Sequence, residues 1–281
     1  MIMDKAIQIA YNEFFEKKCI IASRAGFRHI SVNFNDTTDR SPENWAAAPD
    51  NILRIMEENG LTCVQTHLPY YDLRISAELL DDEMEDAMKN SIEVSGKIGA
   101  PWCVYHPRSA VNDGFSSVKA LEINQEVISK YLDWAVQANT GIALENLPIF
   151  PGIVPVMPFY ASSYDDLCVL HDSFHTDRVS VCWDTGHANM MHFNQATAIR
   201  HMGSRIRCTH IHNNFHREDY HLTPDNGNIP WDQVMPAFRD IGYQGPLTLE
   251  THCLYQNDNL LQAFANFNFA NLQFLEALME G

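Results

Sequence analysis

Imidazole and carboxylate side chains recur in this sequence at the ends of short β-type runs. QTHLPYY carries His67, CVYHPR carries His106, IALENLP carries Glu145, and VCWDTGHANM carries Asp184 and His187. CTHIHNN follows with His210 and His212, and LTLETH with Glu250. Any one of these residues reads equally well as a helix cap or a satisfied polar group. Six successive runs closing on such a group is a pattern that chance does not readily give. The chemistry these residue types share is divalent-cation binding. Carboxylates suit hard ions such as Mn²⁺ or Mg²⁺, and imidazole shifts the preference towards Zn²⁺, Co²⁺ or Ni²⁺. Glu145, Asp184, His210 and Glu250 together offer three carboxylates and one imidazole. Gathered in one place, three negative charges repel one another until a cation neutralises them. A divalent cation held among these four is therefore the expectation. His210 and His212 share strand parity and face one way, with His210 at the depth that Glu145 and Glu250 hold in their own runs. His29, His171, His175, His192 and His201 read as solvated or locally bonded.

The elements that must position these groups alternate along the whole chain. Strands are expected over Ala6–Ala10, His29–Phe34, Cys63–Leu68, Cys103–His106, Ile142–Asn146, Val179–Asp184, Arg207–Asn213 and Leu247–Thr251. Helical periodicity lies between and after them, over Tyr11–Ala25, Asn51–Asn59, Glu85–Ile98, Ala120–Gln137, Asp165–Phe174, Gln195–Met202, Trp231–Ile241 and Leu260–Leu278. Gly26, Gly60, Gly99, Gly141 and Gly242 stand where helices should stop. Eight strands alternating with eight helices predict parallel βαβ units. An open doubly wound sheet would carry a glycine-rich turn after its first strand, and IQIAYNEFF has no glycine. The expectation is an α/β fold, a single (β/α)8 TIM barrel formed by residues 1–281 as one domain. In such a barrel all strand C-termini open on one mouth, which would bring the six endings together. Leu147–Tyr160, with four prolines, reads as a rigid loop after the fifth strand.

Composition narrows the function classes. The chain has 281 residues, 19 Lys and Arg against 36 Asp and Glu, and a formal net charge of −17. Affinity for phosphate backbones comes from clustered Lys and Arg, so a broad nucleic-acid face is not expected. No stretch approaches the roughly 18 apolar residues of a spanning helix, and the N-terminus lacks a signal-peptide apolar core. Seven scattered cysteines without a CxxC pair read as reduced core thiols of a cytoplasmic protein.

The strand endings resemble the xylose isomerase-like barrel superfamily, which includes sugar isomerases and epimerases and the endonuclease IV group. The most specific segment, HIHNNFHREDYHLTPDNGNIPW, is similar to a sugar-branch pattern, HxHDN followed by DxHxxPGxGxIxW. His210, His212, Asn214, Asp219, His221, Pro224, Gly227, Ile229 and Trp231 fit it, while Asn213 replaces an Asp and Asp225 a Gly. The resemblance implies a metal held by Glu145, Asp184, His210 and Glu250. It also implies Glu145 and Glu250 as the acid–base pair that moves a proton through an enediolate, and His187 orienting the substrate oxygens. His67, His106, Asp219 and His221 would be further metal or substrate ligands. They also fall where the endonuclease IV group holds three zincs, so up to three ions are possible. The reading preferred is a metal-dependent isomerase or epimerase acting on a small carbohydrate or related ketone, in an oligomer as is the habit of the superfamily. The alternatives are a zinc phosphodiesterase acting on abasic DNA and a non-catalytic sugar-binding barrel.

Overall fold

The computed structural model describes residues 3–71, 81–109, 116–149, 159–253 and 256–280. Eight strands form one parallel sheet: β1 (Lys5–Ala10), β2 (His29–Asn33), β3 (Thr62–His67), β4 (Trp102–Tyr105), β5 (Gly141–Glu145), β6 (Val179–Asp184), β7 (Ile206–His210) and β8 (Leu247–Leu249). Neighbours pair in chain order from β1 to β7, and β8 pairs with β1. The sheet closes where Ile211 bridges Leu249. There Ile211 N donates to Thr248 O at 2.7 Å, and Glu250 N donates to Ile211 O at 3.1 Å. The fold is thus the (β/α)8 TIM barrel expected from the alternation.

Around the sheet run α1 (Phe15–Ala25), α2 (Pro42–Asn59), α3 (Asp82–Lys97), α4 (Ser117–Gln137), α5 (Tyr164–Asp172), α6 (Thr185–Met190), α7 (Gln195–Met202), α8 (Trp231–Asp240) and α9 (Asp258–Glu280). Strands β5 and β6 are buried at every residue, as strands covered on both faces must be. Helix α2 begins nine residues before its expected start at Asn51. Ser41 caps it by accepting from Asn44 N, and Pro42 occupies the first turn, where no N–H is needed. Pro49 inside the helix hid that first half from pattern reading, since it forfeits one backbone bond. Burial of Trp45, Ala48 and Ile52 along the same face holds the helix together across it. Helix α6 was not foreseen either, because six residues containing a glycine show no periodicity.

Two further expectations are corrected. Strand β7 ends at His210, not Asn213, because the chain bends there: Ile211 goes to β8, and Asn213 pairs antiparallel with Leu222. Gly141 is not a helix stop but the first residue of β5. The left-handed turn after α4 falls to Asn139, at φ 60°, and a Cβ on Gly141 would lie 2.4 Å from Cζ3 of Trp102. Most of Leu147–Tyr160 lies outside the described residues.

Inside the barrel the period-two alternation of each strand builds layers. Val104, Ala143, Cys182 and Cys208 form a small buried plug against Trp102. Beside it the Gln65 amide donates to Thr209 O and accepts from Thr248 Oγ1. The residue two places further along each of these strands is His106, Glu145, Asp184, His210, His67 or Glu250. One layer of small and neutral side chains thus supports the charged layer above it. All seven cysteines are free, and six are buried. No described helix is long and apolar enough to cross a membrane.

Candidate metal centre at the barrel mouth

Glu145 is fully buried at the end of β5 and is the hub of the layer. Its Oε1 lies 3.0 Å from His210 Nδ1, and its Oε2 lies 3.0 Å from His106 Nε2 and 3.3 Å from His67 Nε2. Glu250, following β8, approaches the same His210 nitrogen, with Oε2 at 3.1 Å. Asp184, ending β6, lies 3.9 Å from His210 Nδ1 and 3.0 Å from His212 Nε2. Beyond it, Asp219 Oδ2 stands 3.2 Å from His187 Nε2 and 3.0 Å from His221 Nε2. The cluster is therefore continuous from β3 round to β8.

The histidines are aimed by their backbone contacts. Leu68 O accepts from His67 Nδ1 at 2.7 Å, Asn146 O from His187 Nδ1 at 2.9 Å, and Glu250 O from His221 Nδ1 at 2.8 Å. A carbonyl can only accept, so each ring carries its proton on Nδ1 and turns Nε2 into the cluster. Metal-binding imidazoles are commonly oriented this way. Asn146 also pins Asp184, accepting from its N–H at 2.7 Å and donating to its carbonyl at 2.9 Å. Asp184 in turn caps α6, with Oδ1 accepting from His187 N at 2.6 Å.

Gly186, in the first turn of α6, makes room for His212. A Cβ there would come within 1.8 Å of His212 Cε1. Gly186→Ala is expected to push the ring off Asp184 and weaken cation binding about 10- to 100-fold, as loss of a well-placed supporting group does. Titration of the variant with Zn²⁺ or Mn²⁺ measures this, and a wild-type affinity would remove His212 from the cation's surroundings.

Charge is balanced locally. Burial pulls the His210 imidazole down, but the Glu250 and Glu145 carboxylates outweigh it and push its pKa up to about 9. Against the same effect of burial, Glu250 and Asp219 push His221 up to about 10, and Asp184 and Asp219 hold His187 well above its ordinary value. Burial would raise the carboxyls, yet His210 and His106 keep Glu145 well below the carboxylate range, and His187 does the same for Asp219. Glu250 is likewise lowered to about 2, chiefly by His210 and His221 acting against burial. Burial and the lack of sufficient compensation lower His106 and His252.

Protons alone leave this arrangement incomplete. His210 Nε2, His212 Nδ1 and Asp219 Oδ1 are buried without a hydrogen-bond partner. The Nε2 atoms of His67 and His106 face each other at 3.2 Å, an arrangement a shared cation would relieve. Ligand atoms of Glu145, Asp184, His210 and Glu250 all lie within 4.8 Å of one another. The same holds for His67, His106 and Glu145, for Asp184, His187 and His212, and for His212, Asp219 and His221. Mixed imidazole and carboxylate donors so spaced fit divalent transition ions.

Every site residue expected from the sequence, His67, His106, Glu145, Asp184, His187, His210, Asp219, His221 and Glu250, falls in this one cluster. His210 approaches Glu145 and Glu250, while His212 meets Asp184. Sequence reasoning missed His252, which stacks on His221 at 4.4 Å, and Tyr70, which stacks on His106 at 4.4 Å. It also missed Asn146, although the Asn directly after Glu145 was a usable signal. Arg108, two residues beyond His106, is buried with its guanidinium 4.2 Å from the Tyr71 ring.

The profile of the xylose isomerase-like TIM barrel family matches residues 19–267. Among curated proteins, the uncharacterized protein y4fM of Sinorhizobium fredii is 29% identical over 266 residues, covering 86% of this chain and 82% of that protein. A D-psicose 3-epimerase of Enterocloster bolteae is 37% identical over 79 residues, 28% of this chain and 25% of the enzyme. Among solved structures, a D-tagatose 3-epimerase-like protein superposes with a TM-score of 0.75 at 19% identity, over 96% of this chain and 98% of that one. With a profile match running from α1 into α9 and a closed eight-stranded barrel beneath it, the chain belongs to the xylose isomerase-like TIM barrel family.

Proposed function

We propose that this protein is a metal-dependent isomerase or epimerase of a small sugar or related ketone, with residues 1–281 acting as one domain. The observation that carries the reading is the approach of two buried carboxylates, Glu145 and Glu250, to one imidazole from different sides of the barrel. Glu145, Asp184, His210 and Glu250 would hold the catalytic cation, Zn²⁺ or Mn²⁺. Bound there, such an ion acts as a Lewis acid that polarises a carbonyl and makes the adjacent C–H acidic. Glu145 and Glu250 both favour the ionised form, so either can take the proton as base; the other, once protonated from solvent, can deliver a proton to the enediolate, and the base then releases the proton it took. Return to the opposite face of the same carbon gives an epimer, and return to the neighbouring carbon an isomer. His187, fixed between Asn146 O and Asp219, orients substrate oxygens. Tyr70, stacked on His106 and more than a third exposed, offers the ring an apolar wall. The ketose epimerases among the relatives support a ketose substrate.

The outer groups favour a second reading. His67, His106 and Glu145 on one side, and His212, Asp219 and His221 on the other, would complete a three-ion centre, which suits hydrolysis of a phosphodiester. Elemental analysis combined with two assays separates the readings. About one ion per chain is expected, with incorporation of solvent deuterium into a ketose. Close to three zincs, with metal-dependent nicking of abasic-site duplex DNA and no exchange, would overturn the proposal.

A further inference from the structure

The outward face of α9 is unlike the rest of the surface. Leu261, Ala265, Asn268, Asn271, Leu272, Leu275 and Met279 turn inward, and the helix packs between α1 and α8. On the opposite side Leu260, Phe267 and Phe274 are 52%, 48% and 56% exposed. Ala263, Ala270 and Ala277 alternate with them and are exposed as well. The spacing runs four and three in turn, the repeat of a helix seam that packs on another helix. The remaining exposed residues between Asn259 and Ala277 are Asn259, Asn266 and Gln273. This face carries no charge over five turns, in a chain with 55 Asp, Glu, Lys and Arg residues by the counts of 36 and 19. A helix face built only for water carries charged and polar groups instead.

The order of large and small residues identifies the occupant. When the seam is laid antiparallel against a second copy of itself, position 260 meets 277, 263 meets 274, and 267 meets 270. Each pairing then sets a Leu or Phe against an Ala. Alternation of large and small across facing positions is how close-packed interfaces interdigitate. A parallel arrangement would set Phe267 on Phe267 and Ala270 on Ala270, with crowding at one level and a gap at the next. The flanking amides add no repulsion, so two chains of charge −17 can approach here without bringing carboxylates together. We propose that α9 forms the isologous two-fold interface of a homodimer, packing antiparallel on α9 of a second copy along a seam of about 26 Å at 1.5 Å per residue. The proposal is independent of the chemistry assigned to the barrel mouth.

Sedimentation velocity on the purified chain at tens of micromolar is expected to give twice the 32.0 kDa of one chain. Phe267→Glu places a charge near the two-fold axis and is expected to raise the dissociation constant about 100-fold or more. The circular dichroism spectrum should stay unchanged, since the side chain is half exposed in the single chain. Oxidation of the double variant Ala263→Cys/Phe274→Cys should give a covalent dimer, while the wild type and each single variant should not. A monomeric wild type overturns the proposal, as does a dimer that survives Phe267→Glu. Should the charged variant fail to fold, the cysteine pair decides: absence of the covalent dimer also overturns the antiparallel seam.

Discussion

Replacing either Glu145 or Glu250 with Gln is expected to slow exchange of the substrate C–H with solvent deuterium by about 10²- to 10⁴-fold, the usual contribution of a positioned acid or base. Gln keeps the shape of the side chain and removes the charge that accepts a proton. The two variants should differ in a second respect. Glu145 touches His67, His106, His187 and His210, so Glu145→Gln withdraws the charge that balances several imidazoles. Glu250→Gln withdraws a contact to His210. Metal content is therefore expected to fall further in Glu145→Gln than in Glu250→Gln. Measuring exchange at saturating metal separates lost proton transfer from lost loading. Undiminished exchange in both variants would end the paired-carboxylate mechanism.

Stripping the cation with a chelator is expected to abolish that exchange and lower the melting temperature. An ion present at 100 to 1,000 times its dissociation constant stabilises the fold by about 3–4 kcal/mol, equivalent to roughly 6–15 °C for a chain of this size. The effect should depend on pH in a defined direction. In the metal-free protein His210 and His221 titrate at about 9 and about 10, above the roughly 6.5 of an unfolded histidine. Their contribution is complete below pH ~6.5 and is lost as pH rises through 9 to 10. Glu250 works in the opposite sense. Lowered to about 2 from an ordinary 4.5, it contributes above pH 4.5 and loses that contribution as pH falls towards 2. In the loaded protein protons and cation compete for the same imidazole nitrogens, so affinity rises with pH. The gap in melting temperature between loaded and stripped protein should widen from pH 6 to 9, as scanning calorimetry would measure. A constant or narrowing gap would show that these imidazoles do not hold the ion.

The site was legible in the sequence to the extent that it depends on strand parity. His106, Glu145, Asp184 and His210 each follow a buried small residue of the barrel plug by two places. A two-residue period written in the chain therefore becomes one layer in space once the strands are parallel and in register. Asp184 and His210 are register partners across β6 and β7. His212 lies beyond the bend that follows His210, where the chain closes the barrel, and meets Asp184 from there. The stacking of Tyr70 on His106 and of His252 on His221 escaped pattern reading. Each pair joins segments that follow neighbouring strands, β3 and β4 for Tyr70 and His106 and β7 and β8 for His221 and His252, so no spacing along the chain shows it.

The sequence by itself determined the kinds of ligand, their placement at strand ends and the barrel that gathers them. Hydrophobic periodicity and residue type are local properties, and a closed parallel sheet converts them into position with little freedom. Only the tertiary structure decided which nitrogen each imidazole presents and which carboxylates share His210. It also decided that Gly186, which lacks a side chain, makes the space for His212. Those outcomes depend on distances of a few ångströms between residues as much as 183 places apart, such as the Gln65–Thr248 bond beneath the site. Contacts of that kind exist only after the chain has closed on itself, so no window along the sequence contains them.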